Sequence, residues 1–83
     1  MAHIQTTIEN VKKGVEKMKQ QPQVEKVSSS GENGFFSAGF IVRGFEGGLT
    51  FDQMSGILSV WFHKKFWFDD EAFAEKVIRD FFL

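Results

Sequence analysis

Ile4, Ile8, Val11, Val15 and Met18 recur at spacings of four and three, with polar residues between them. That spacing draws one narrow apolar stripe along a helix. Thr6 and Glu9 have the separation of a capping box, and Glu9 and Lys13 form a favourable pair four apart. Gly14 weakens this helix by up to ~1 kcal/mol relative to Ala. Pro22 cannot continue it. The pattern predicts a helix over residues 4–20.

The period then changes from helical to alternating. Residues 23–30 read as a strand, and Gly31-Glu32-Asn33-Gly34 reads as a turn, because Asn and Gly tolerate positive φ. A second strand follows over residues 35–45. Phe36, Ala38, Phe40 and Val42 occupy one face; Phe35, Ser37, Gly39, Ile41 and Arg43 occupy the other. One apolar and one mixed face suit a sheet covered by helices on one side. Gly44 to Gly48 reads as a chain reversal.

Residues 49–68 fit two periods. Met54, Leu58, Phe62 and Phe66 form an i+4 row beside Ile57 and Trp61, and Leu49 and Met54 have the spacing of a hydrophobic staple. His63, Lys64 and Lys65 would complement a helix carboxyl end. A helix is the expectation, with a third strand as the alternative. Asp69 is a good N-cap for a final helix, in which Phe73, Val77 and Phe81 lie beside Ala74, Ile78 and Phe82. The expected fold is a single α+β domain spanning residues 1–83. Its order is α-β-β-α-α, an antiparallel hairpin packed against helices, or α-β-β-β-α if the middle segment is a strand.

Composition narrows the function classes. The chain has 83 residues, no cysteine, two histidines and a net charge of −1. Disulfides and thiolate zinc sites are excluded. No cofactor or metal is expected, because His63 with Asp69 and Asp70 lacks a diagnostic ligand spacing. The balanced charge gives no basic footprint for nucleic acid. Gly39–Phe45 lacks the leading basic residue of an RNA-binding strand, and the last helix begins with acids. No apolar run approaches the ~20 residues of a membrane span, and residues 1–7 lack the pattern of a secretory signal, so the location expected is the cytoplasm.

Catalysis has no support in these residues. Asp52, Ser59 and His63 fall on one side of the expected second helix, but no nucleophile elbow accompanies them. Gly44-Phe45-Glu46-Gly47-Gly48 lacks a phosphate-binding lysine, and Glu46 would repel an anion.

What stands out is the aromatic content: 11 Phe and two Trp without a single Tyr. A small core encloses few positions fully, so part of this content is expected at the surface, where aromatic clusters mark contact sites. Phe35, Phe36, Trp61, Lys64, Lys65 and Trp67 are the expected protein-interface residues. A two-stranded sheet would have two open edges, which pairing across a two-fold axis relieves. The function expected is therefore a non-enzymatic protein-interaction domain, self-associating as a homodimer. Two competing expectations are a small-molecule binder with a pocket between helices and sheet, and a small phage or mobile-element accessory protein that binds a host complex.

Overall fold

The computed structural model describes residues 2–32, 34–63 and 70–83, except for the side chains of residues 32 and 70. The elements run β1 (Ala2–Gln5), α1 (Ile8–Lys19), β2 (Val24–Glu32), β3 (Phe35–Val42), β4 (Phe45–Asp52), β5 (Ile57–Phe62) and α2 (Asp70–Val77). A π-helical turn, Ile78–Phe82, continues α2. The strands form one five-stranded sheet in the order β1-β5-β4-β3-β2, and every pairing is antiparallel. The fold is α+β, but neither expected order survives: it is β-α-β-β-β-β-α.

Three corrections account for the difference. The first helix starts later than its apolar stripe. Ile4 lies in β1, opposite Leu58 of β5, and Thr7 rather than Thr6 is the N-cap. The Thr7 hydroxyl accepts from the Asn10 N–H at 3.3 Å. Val11, Val15 and Met18 are the part of the stripe buried in the core, and the partly buried Ile8 packs against it.

The second correction divides residues 35–48. Arg43 and Gly44 both have positive φ, 52° and 82°. That is the backbone of a two-residue hairpin turn whose twist matches its flanking strands. Val42 therefore pairs with Phe45; of the glycines read as a reversal, Gly44 is in the turn, whereas Gly47 and Gly48 lie inside β4.

The third correction concerns the expected middle helix. Residues 49–62 form the end of β4, a turn and β5. Gly56 has φ 72°, a conformation that costs a side-chain-bearing residue about 1–2 kcal/mol. The Asp52 carboxylate accepts from the Met54 N–H at 2.9 Å and fixes the turn. Met54 is 96% exposed, so it neither staples nor packs. The β-branched Ile57 and Val60 stand on opposite faces of β5, as strand geometry requires.

Both helices cover the same face of the sheet. Phe36, Ala38, Phe40, Val42, Leu49, Phe51, Leu58, Val60 and Phe62 are buried beneath Val11, Val15, Met18, Ala74, Val77, Ile78 and Phe82. An aromatic chain ties α2 to this layer. Phe40 meets Phe62 at 5.4 Å, Phe62 meets Phe73 at 4.7 Å, and Phe73 meets Phe45 at 5.9 Å, all edge-to-face. Much of the aromatic content is therefore core.

Candidate interaction face

The opposite face of the sheet is left without a covering layer by the described residues. Strand alternation and register place on it Lys26, Ser28 and Ser30 of β2, Phe35, Ser37, Gly39 and Ile41 of β3, and Glu46, Gly48, Thr50 and Asp52 of β4. Ile57, Ser59 and Trp61 of β5 and His3 and Gln5 of β1 complete it.

The rows across the strands differ in chemistry. Phe35, Asp52 and Ile57 are in register, and Phe35 and Ile57 are 58% and 41% exposed. The next row is hydroxyl-rich: Ser30, Ser37, Thr50 and Ser59, ending on His3. Within it Ser30 and Ser37 hydroxyls share a 3.3 Å hydrogen bond, and His3 Nδ1 and Ser59 Oγ share one of 2.7 Å.

The third row contains Ser28, Gly39, Gly48 and Trp61. Gly48 has no side chain, and the Trp61 indole occupies that space. A Cβ at position 48 would sit 2.7 Å from its Cζ2. The half-buried indole thus forms one wall of an open groove, with Ser28, Ser30, Ser37, Gly39 and Thr50 along the rest. Beyond it His63 and Glu46 form an exposed pair at 3.8 Å.

Phe35 and Trp61 thus come to one face. Phe36 belongs to the other, 9% exposed within the core, because it neighbours Phe35 along a strand and side chains alternate. Lys64, Lys65 and Trp67 lie outside the described residues, as does Asp69. The sequence reading missed Ile57 as a surface residue, having placed it on a helix. It also missed the His3–Ser59 pair, since nothing local joins two residues so far apart. That pair differs from the Asp52, Ser59 and His63 grouping considered above. Among the described residues no carboxylate is hydrogen-bonded to the His3 ring.

The described residues contain no cluster of three or more potential metal ligands. No helix among them is long and apolar enough to cross a membrane. The buried side chains are all apolar among the described residues. A comparison with protein-family models, curated proteins and solved structures finds no match.

Proposed function

We propose that this chain is a non-enzymatic, cytoplasmic protein-interaction domain that self-associates and presents the uncovered sheet face to a protein partner. The observation that carries this reading is the placement of Phe35, Ile57 and Trp61 on a face that neither described helix covers. Aromatic side chains with a polar surround are the usual anchors of protein interfaces. The hydroxyl row supplies short groups that accommodate a neighbouring surface, and the Asp52 carboxylate, which stands between Phe35 and Ile57, is bonded back to the Met54 N–H.

The competing pocket between helices and sheet has less support. Buried apolar side chains fill the centre of that layer. Self-association is supported by β2, a nine-residue edge strand.

Molar mass by size exclusion with light scattering, across a wide concentration range, tests self-association. The expected result is a mass rising toward twice that of one chain. A single-chain mass at every concentration overturns that part. The face is tested separately with Phe35→Ser combined with Trp61→Ala. This variant should keep the wild-type fold and lose binding of any protein the wild type retains. Unchanged retention overturns the role of the face.

A further inference from the structure

We infer that the domain dimerises by antiparallel pairing of β2 with β2 of a second copy, with Ser29 opposite Ser29 across the two-fold axis. The inference rests on the self-association proposed above and assigns it an edge and a register.

The sheet has two edges, and they are unequal. β1 is four residues long, whereas β2 is nine. Edge strands are normally protected by shortness, Pro, charge or a bulge. β1 has the first of these. β2 has an irregularity between Val24 and Lys26, but Val27-Ser28-Ser29-Ser30-Gly31 carries neither charge nor Pro. Ser28 to Gly31 are exposed.

The hydrogen-bond phase of this edge follows from the turns. Arg43-Gly44 is a two-residue turn, so its flanking residues Val42 and Phe45 form a hydrogen-bonded pair. Alternate residues of β3 from Val42 back to Phe36 then face β4, and Phe35, Ser37, Gly39 and Ile41 face β2. Their partners Ser28 and Ser30 turn their backbone groups inward. Val27, Ser29 and Gly31 are left with N–H and C=O directed away from the sheet.

This phase is self-complementary. With Ser29 opposite Ser29 of a second copy, Val27 falls opposite Gly31. Each of these pairs can exchange two hydrogen bonds. A valine beside a glycine, and serine beside serine, fit without crowding. A shift by one residue in either direction would break the phase. Pairing in this register makes one sheet of two and continues the uncovered face across the axis.

Ser29→Pro tests the assignment. Its missing N–H points away from β3, so the variant keeps its own ladder but cannot pair outward. The expected result is a single-chain mass with an unchanged far-ultraviolet spectrum at concentrations where the wild type is dimeric. A folded Ser29→Pro dimer overturns the edge assignment and leaves self-association standing. A wild-type monomer overturns both. Cysteine scanning settles the register, since the natural chain has no thiol. Ser29→Cys should form a disulfide dimer on mild oxidation. Ser28→Cys should do so with Ser30→Cys but not with itself. A wild-type dimer in which Ser29→Cys forms no disulfide overturns the register, whether or not Ser29→Pro folds.

Discussion

Gly14 of α1 lies directly against the ring of Phe82, leaving no room at position 14 for a side chain. A Cβ there would collide with Phe82 Cδ1 and Cε1 and stand 2.7 Å from the carbonyl oxygen of Phe81. The glycine that weakens α1 as an isolated helix is what lets α1 and the carboxyl-terminal π-helical turn cross closely.

Gly14→Ala therefore sets two effects against each other. Alanine favours the helix by up to ~1 kcal/mol. Overpacking a close contact costs about 1–3 kcal/mol, and a backbone oxygen cannot swing aside as a side chain can. The expected outcome is net destabilisation, read as a lower midpoint in urea with an unchanged slope.

Gly47 and Gly48 separate a rigid constraint from a yielding one. A Cβ at position 47 would meet the Trp61 carbonyl oxygen at 2.7 Å, Phe62 at 2.8 Å and Phe40 at 2.9 Å. Gly47→Ala is expected to cost about 1–3 kcal/mol in chemical denaturation. At Gly48 the nearest obstacle is the Trp61 ring, which can lift toward solvent. Gly48→Ala is expected to red-shift Trp61 emission in a Trp67→Phe background, with a smaller loss of stability than Gly47→Ala.

Met54→Asp distinguishes the observed turn from the helix that the sequence suggests. In the turn, residue 54 is almost fully exposed, and the expected change is within ~0.5 kcal/mol. A buried position in a helical row would lose several times that amount. Thermal melting of the variant decides between them.

Leu58→Ala removes a fully buried side chain from β5 beneath the helices. The expected cost is about 2–5 kcal/mol, measured by equilibrium denaturation. The same substitution at Ile57, its neighbour on the uncovered face, should cost far less.

The residues explain which elements were legible. Val11, Val15 and Met18 signalled α1, and Ala74, Val77, Ile78 and Phe82 signalled the last helix, because their spacings fit only a helix. Leu58 and Phe62 did not discriminate. A separation of four is close to one helical turn and is also two strand periods, so both periods place them on one face. The better signals were local: Gly56 before Ile57, and the β-branched and aromatic residues from Ile57 to Phe62. Gly47 and Gly48 misled because a glycine within a strand and a glycine ending one look alike until the filling rings, Phe40 and Trp61, are located. Of the expected contact residues, Phe35 and Trp61 lie on the uncovered face. Phe36 is separated from Phe35 by the pleat, which required the strand phase to be known.

The pairing of β1 with β5 also governs the order in which the chain can assemble. β2, β3, β4 and β5 are joined by short turns and can form hairpin by hairpin. Ala2 must wait for Val60, and Ile4 for Leu58. During synthesis β1 waits for β5, which follows it only after β2, β3 and β4. Within the sheet the pairings of greatest separation along the chain are those of β1 with β5, which makes closure of that seam the strand pairing most sensitive to loop entropy.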